Sequence, residues 1–286
     1  MPDQIDLSRM EIVPVLGPNG YLRLHHHWRK PDSLMWDEYW ENTPTPTRDY
    51  WRSALTGELG HDNKRLFLKN LPSGAKVLEA GCGVGWVVLA LRAHGFDCYG
   101  LDYAENTIEV LNKEFPEVPF HLGDIRSLPY PDNYFDAYIS LGVIEHFTEG
   151  QEVMLQEAAR VVRPGGRIFI SVPAFNGWRK LKCRFGLYET AATAPFFEAC
   201  YSVEELEQLL RNAGFSPIER SFHNTVMTFA QETPIRPLYR YIEDVRYVRG
   251  VVDRLLRLVL PRSLFGHMVM VVALRNEDNQ RVKTIC

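Results

Sequence analysis

The segment Glu79-Ala80-Gly81-Cys82-Gly83-Val84-Gly85 combines one carboxylate with three glycines at every second position. An apolar pair, Val77-Leu78, precedes it and an apolar run over 87–91 follows, so the segment joins a predicted strand to a predicted helix. Glycine lets the backbone turn sharply and lets a ligand approach without meeting a Cβ atom. The helix N-terminus adds unpaired N–H donors. The spacing therefore indicates a loop that cradles a ligand.

The glycine spacing separates two classes of cofactor-binding loop. The dinucleotide fingerprint G-x-G-x-x-G would need glycine at position 86, where this sequence has Trp86. A nicotinamide dehydrogenase is therefore disfavoured. The pattern Glu-x-Gly-x-Gly-x-Gly instead resembles the first motif of class I S-adenosylmethionine-dependent methyltransferases, in particular the small-molecule (type 11-like) group. Glu79 suits that cofactor, which carries an ammonium and a sulfonium, and would repel a pyrophosphate.

Two aspartates follow the next two predicted strands, where ligands of open α/β sheets lie. Each alone is more often a helix cap or a loop residue. The resemblance implies that Asp102 accepts both hydroxyls of an adenosine ribose, that Asp124 accepts from the adenine amino group, and that Ile125 packs on the purine. The full set of cofactor contacts that the resemblance implies is Glu79, Ala80, Gly81, Cys82, Gly83, Gly85, Asp102, Tyr103, Asp124, Ile125 and Leu141.

Glu145 and His146 follow the fourth predicted strand. In the resembling family this segment passes near the methyl group that is transferred. Histidine titrates near neutrality, so His146 is the candidate base if the nucleophile is a hydroxyl. Glu145 would orient His146 or bind substrate. The alternative is that the pair caps or packs against the next helix. Methyl transfer does not require a base in every case, since alignment alone supplies much of the acceleration.

Composition disfavours nucleic-acid-binding, membrane-spanning, secreted and zinc-binding proteins. Hydrophobic residues make up 45% and charged residues 24%, and the formal charge of -4 favours no nucleic-acid partner. There is no apolar run of about eighteen residues and the start of the sequence lacks signal-peptide features. The five cysteines show no zinc spacing, so reduced thiols in the cytoplasm and no metal are expected. The triplet His25-His26-His27 is predicted to lie in a solvated loop or a partly buried edge.

Strands and helices alternate from residue 75 to 172, which predicts a parallel sheet covered on both faces. A helix is expected over 52–71 and a last strand over 267–274. The resemblance implies a doubly wound, Rossmann-like, seven-stranded α/β sheet, mostly parallel, with the last strand antiparallel. The predicted divisions are 1–71 (N-terminal extension and helical lid), 72–173 (cofactor-binding core), 174–201 (substrate cap inserted after the fifth strand) and 202–286 (remainder of the core).

Three outer segments carry further hypotheses. Trp36, Tyr39 and Trp40 share one helix face, which suits a lid over the cofactor or simple packing. Residues 174–201 place aromatic residues among cations, which suits an apolar or aromatic substrate with an anionic group, or a cap with its own small core. The substrate candidates are Phe175, Trp178 and Tyr201. Residues 236–262 predict an amphipathic helix for a membrane surface, a dimer contact or the protein's own sheet.

The sequence thus predicts a cytoplasmic methyltransferase, monomeric or homodimeric, that moves a methyl group from S-adenosylmethionine to a small molecule and leaves S-adenosylhomocysteine. Oxygen is the favoured acceptor atom, with nitrogen or carbon open, and a lipid-linked acceptor is one of the options. Two other functions stay open. The segment 142–147 also resembles cyclopropane fatty-acid synthases, which transfer a methylene to lipids, and a cofactor-binding regulatory or scaffolding protein would need the same carboxylates.

Overall fold

The computed structural model describes residues 11–27, 48–233, 251, 255–256 and 258–277. Its strands, in chain order, are β1 (Glu11–Leu16), β2 (Leu22–His27), β3 (Lys76–Ala80), β4 (Asp97–Asp102), β5 (Phe120–Leu122), β6 (Phe135–Leu141), β7 (Val162–Pro173), β8 (Phe196–Cys200), β9 (Phe215–His223) and β10 (Met268–Arg275). Its helices are α1 (Arg48–Leu55), α2 (His61–Asn70), α3 (Trp86–Ala93), α4 (Glu105–Glu114), α5 (Gln151–Val161), α6 (Gly177–Arg184), α7 (Val203–Asn212), α8 (Thr225–Glu232) and α9 (Arg262–Phe265).

Seven strands form the main sheet in the order β5-β4-β3-β6-β7-β10-β9. Strands β3 to β7 pair in parallel, and β10 runs antiparallel to both of its neighbours. The predicted doubly wound, mostly parallel sheet with an antiparallel last strand is confirmed. The order reverses between β3 and β6, so the strand ends that carry the candidate residues lie at one switch point.

The apolar runs of the central strands explain why helices cover both faces. Along β6, Ala137 and Ile139 pack in one core cluster, and Tyr138 between them packs in the other. Successive strand residues point to opposite faces, so a strand that is apolar throughout needs apolar cover on both sides. Helix α3 supplies part of that cover with Val88 and Leu89.

The single helix expected over 52–71 is wrong, because the chain makes two helices there. Helix α1 ends at Leu55 and α2 begins at His61. Between them Gly57 and Gly60 have φ of 82° and 69°, a region that glycine enters without the steric penalty other residues meet. The aromatic residues of the expected lid, Trp36, Tyr39 and Trp40, lie outside the described residues.

A second, three-stranded sheet joins the start of the chain to the cap. Its order is β1-β2-β8, with both pairs antiparallel. The histidine triplet lies in the central strand β2, and the predicted loop or edge position is wrong. Strand β2 is central because β8 pairs with the edge of β2 that β1 does not occupy. His26 is 3% exposed, whereas His25 and His27 contact the Phe196 ring from the other face.

The helix expected over 236–262 falls mostly outside the described residues. Four apolar side chains near its end are exposed: Val251, Leu255, Leu258 and Val259. Among the residues that the structure describes, no helix combines the length and apolar character needed to cross a membrane.

Candidate active site

The first turn of the glycine loop depends on Gly81. Its φ is 80°, and its N–H donates to the carbonyl of Leu101 at 2.7 Å. A Cβ atom at this position would lie 2.4 Å from Cγ2 of Val143, far below van der Waals contact. The loop after β3 therefore touches the segment after β6, and only a residue without a side chain fits between them.

The loop ends at the N-terminus of α3, where the N-cap residue is Gly85, which has no side chain to cap the helix. There the N–H of Val88 donates to Oε2 of Glu79 at 3.2 Å. Glu79 is 5% exposed. Burial raises the pKa of this carboxyl well above its ordinary value, and the nearby charge of Asp102 raises it further, while the Val88 N–H opposes the shift. A cation next to Glu79 would reverse that effect.

Asp102, at the end of β4, holds the loop in place. The N–H of Gly83 donates to its Oδ2 at 2.8 Å and the N–H of Ala104 donates to its Oδ1 at 3.0 Å. An ionised carboxylate offers about four lone-pair positions. Asp102 can therefore keep both backbone contacts and accept hydroxyl groups as well.

Asp124, after β5, is paired with Arg126 in the structure. The guanidinium reaches both carboxylate oxygens, the shortest contact being Nη2–Oδ2 at 2.6 Å. This contact lowers the pKa of Asp124, so the group stays ionised and can accept a further hydrogen bond. Ile125 packs in the core, at 6% exposure, and Tyr103 is 50% exposed.

Two indoles anchor the first helices to the glycine loop. Nε1 of Trp51 donates to the carbonyl of Val84 at 2.8 Å, and Nε1 of Trp86 donates to the carbonyl of Glu58 at 2.9 Å. Position 86, where a dinucleotide fold needs glycine, thus holds a side chain that ties α3 to the α1–α2 connection.

His146 lies in a 3₁₀ turn, Ile144–His146, directly after β6. Nδ1 lies 2.9 Å from the carbonyl oxygen of Phe197. A carbonyl accepts and does not donate, so Nδ1 carries the proton and, in the neutral ring, Nε2 carries the lone pair. Burial lowers the pKa of His146, which keeps the ring neutral at physiological pH, although the charge of Glu198 opposes the shift.

Glu145 is 1% exposed, and its Oε2 has no hydrogen-bond partner among the described residues. Burial raises its pKa well above the ordinary value, and the charge of Glu198 adds to the shift. Oε1 of Glu198 pairs with Nδ1 of His26 at 2.8 Å. The turn after β6 therefore faces strand β8 across a cluster of acidic and imidazole groups.

Two of the three substrate candidates, Phe175 and Tyr201, are buried, and Trp178 is half-buried. Phe175 packs with Leu24 and Cys200 in a small cluster that β2 shares with the cap. The ring of Tyr201 lies 4.4 Å from the guanidinium of Arg23. Nε1 of Trp178 donates to the carbonyl of Glu232 at 3.3 Å. These contacts favour a structural role for the rings in the cap.

Sequence reasoning missed four residues beside the site: Val143, Phe197, Glu198 and His26. Val143 limits the room at Gly81, Phe197 orients His146, and Glu198 pairs with His26. His26 and Glu198 are 172 positions apart, and no local pattern predicts that β2 pairs with β8.

The sequence is similar to a known protein family and to curated proteins. Residues 78–170 match the family described as a methyltransferase domain. A probable S-adenosylmethionine-dependent methyltransferase of Mycolicibacterium smegmatis is 33% identical over 143 residues, which are 50% of this chain and 52% of that protein. The match spans about half the length of that relative.

Two further relatives extend the comparison. A demethylmenaquinone methyltransferase of a Geobacillus species is 29% identical over 175 residues, 52% of this chain and 74% of that protein. The crystal structure of the Burkholderia thailandensis 1,6-didemethyltoxoflavin-N1-methyltransferase, with S-adenosylhomocysteine bound, has a TM-score of 0.53 at 19% identity. It covers 93% of this chain and 100% of that one, and it shows a shared fold. Residues 78–170 thus match the methyltransferase-domain family and belong to a Rossmann-like sheet of the kind found in class I S-adenosylmethionine-dependent methyltransferases.

Proposed function

We propose that this protein transfers the methyl group of S-adenosylmethionine to a small-molecule acceptor, with oxygen as the favoured acceptor atom. The observation that supports this most is Asp102, a buried carboxylate tied to both the glycine loop and the start of α4. It lies at the switch point of the sheet, beside a helix N-terminus and a second buried carboxylate, Glu79. The Geobacillus relative is named a demethylmenaquinone methyltransferase, which supports a small-molecule acceptor.

In this proposal each part of the cofactor meets a different carboxylate. Asp102 accepts the ribose hydroxyls, Glu79 faces the cationic methionine end, and Asp124 accepts from the adenine. The methyl group on the sulfonium then lies near the turn after β6. There Nε2 of His146 accepts the proton of an acceptor hydroxyl. Transfer itself is an in-line displacement whose leaving group is a neutral thioether, so alignment contributes much of the acceleration.

Isothermal titration of the purified protein with S-adenosylmethionine, S-adenosylhomocysteine and NAD tests the proposal. We expect Kd values on the order of micromolar for the first two, about -8 kcal/mol, and no binding of NAD. Binding of NAD alone, or of none of the three, would contradict it. A chain that binds both sulfur compounds but methylates no acceptor in a broad screen would instead favour the regulatory or scaffolding function.

Asp102→Ala should weaken binding of S-adenosylhomocysteine by about 1–3 kcal/mol, because the ribose hydroxyls lose a buried acceptor. Part of that loss comes from the loop, since Gly83 and Ala104 also lose their acceptor. Adenosine and 2′,3′-dideoxyadenosine separate the two effects. The variant should bind them equally, whereas the wild type should prefer adenosine. Equal binding of the two by the wild type would reject the ribose role.

Binding of S-adenosylmethionine should release up to about one proton from Glu79. The pKa of this carboxyl is raised in the unliganded protein, so a fraction is protonated, and a cationic ligand stabilises the ionised form. Affinity should therefore fall as pH falls below the raised pKa. Titration in buffers of different ionisation enthalpy counts the protons, with Glu79→Gln as control. A proton count that is the same in the variant would place the cofactor's cation elsewhere.

A further inference from the structure

Beside the candidate base, two carboxylates and one imidazole come together. One carboxylate oxygen each from Glu145 and Glu198 and one ring nitrogen of His146 lie within 4.8 Å of one another. The turn after β6 supplies two of these side chains, and strand β8 supplies the third. We propose that they form a binding site for one divalent metal ion, in addition to the cofactor site.

The unpartnered oxygen of Glu145 is the observation that points to a ligand. The side chain is 1% exposed, and its Oε2 has no hydrogen-bond partner among residues 11–27, 48–233 and the other described positions. A buried carboxylate oxygen without a partner is unfavourable, and a second carboxylate nearby adds repulsion. A divalent cation between Glu145 and Glu198 satisfies both.

The other two side chains are held by neighbours, as metal ligands usually are. Nδ1 of His26 contacts Oε1 of Glu198 at 2.8 Å, and Nδ1 of His146 contacts the Phe197 carbonyl at 2.9 Å. Because Nδ1 donates to that carbonyl, Nε2 is the nitrogen of His146 that would bind the ion. The N-terminal hairpin, through His26, thereby orients a ligand of the site.

Two carboxylate oxygens and one imidazole suit Mn²⁺, Fe²⁺ or Zn²⁺ better than Ca²⁺, which takes oxygen ligands. Three protein ligands leave coordination positions for an acceptor oxygen. An ion there would lower the pKa of that hydroxyl, a role that rests on the proposed methyl transfer. With Nε2 holding the ion, the acceptor's proton would pass to solvent and not to His146, so the base role proposed above belongs to the metal-free protein.

Titration of EDTA-treated, dialysed protein with Mn²⁺, followed by loss of the free-ion electron paramagnetic resonance signal, tests the site. We expect about one Mn²⁺ per chain, displaced by Zn²⁺. Glu145→Gln and Glu198→Gln should each weaken binding at least about 10-fold, and His26→Gln should do so about 10-fold by releasing Glu198. Glu204→Gln is the matched control, because Glu204 is exposed and contacts Lys180 at the surface.

Absence of saturable one-to-one binding of Mn²⁺ and of Zn²⁺ would overturn the proposal, as would equal binding by the wild type and both glutamine variants. If thermal unfolding shows that Glu145→Gln does not fold, Glu198→Gln still tests the proposal, because Glu198 is the more exposed of the two. S-adenosylmethionine titrated into the same sample separates the two proposals. A protein that binds the cofactor but no metal overturns the metal site alone, and one that binds metal but no cofactor contradicts the methyl transfer instead.

Discussion

In the metal-free protein, His146→Ala is expected to lower kcat about 10²-fold or more on a hydroxyl acceptor, the range for loss of a general base. The physical reason is the fixed tautomer. Nδ1–H donates to the Phe197 carbonyl, so Nε2 is the ring nitrogen with the lone pair that can accept a proton. Binding of S-adenosylhomocysteine should change little, because the change removes a proton acceptor and leaves the glycine loop intact.

The pH dependence of the rate gives a second test of the role of His146 as a base. Burial lowers the pKa of His146 from its ordinary 6.5, and a base works in its neutral form. At saturating S-adenosylmethionine, wild-type kcat/KM for the acceptor should therefore stay level above about pH 6.5 and fall only at lower pH, and His146→Ala should lose that acid limb.

His94→Ala is the matched control for this prediction. Its ring also contacts a backbone carbonyl, that of Gly57 at 2.9 Å, but it follows the far end of α3. A rate for His146→Ala within a few-fold of the His94→Ala rate would leave His146 as a packing residue.

Gly81→Ala is expected to destabilise the fold by about 2–5 kcal/mol and to abolish measurable cofactor binding. A left-handed backbone costs a residue with a Cβ atom about 1–2 kcal/mol, and overpacking adds about 1–3 kcal/mol. The added atom would lie 2.4 Å from Cγ2 of Val143, so the loop or the turn after β6 must move. Urea unfolding and calorimetric titration measure the two effects.

Gly74→Ala separates the backbone cost from the clash. Gly74 also has a positive φ, 68°, but an added Cβ would meet no atom within 4 Å. It should therefore lose only the backbone part, about 1–2 kcal/mol. Equal losses for Gly74→Ala and Gly81→Ala would mean that Val143 does not limit the loop. Val143→Ala in the Gly81→Ala background should recover part of the difference.

The sheet and the cofactor loop were predictable because their signals are local. Apolar strands such as Val77-Leu78 need cover on both faces, and glycine at 81, 83 and 85 allows a sharp turn that a ligand can approach closely. Even the break between α1 and α2 had a signal, since Gly57 follows the end of α1 closely and Gly60 directly precedes α2. A stricter weighting of glycine within the expected helix would have found it.

The surroundings of His146 were not predictable in the same way. They depend on a strand pair that joins residues far apart in the chain, β2 with β8. Its register places His26 toward Glu198 and turns His25 and His27 toward Phe196. A shift of one residue would exchange those faces, and nothing within either short strand selects one register over the other.

The position of β10 has a consequence for synthesis of the protein. It is made after every other described strand, yet it lies between β7 and β9 and pairs with both along most of its length. Until the ribosome has released residues 268–275, β9 has no neighbour in the main sheet and β7 presents an open edge. Open strand edges pair readily with other chains. The nascent protein is therefore expected to need shielding late in translation, and the sheet closes in a single step when β10 enters.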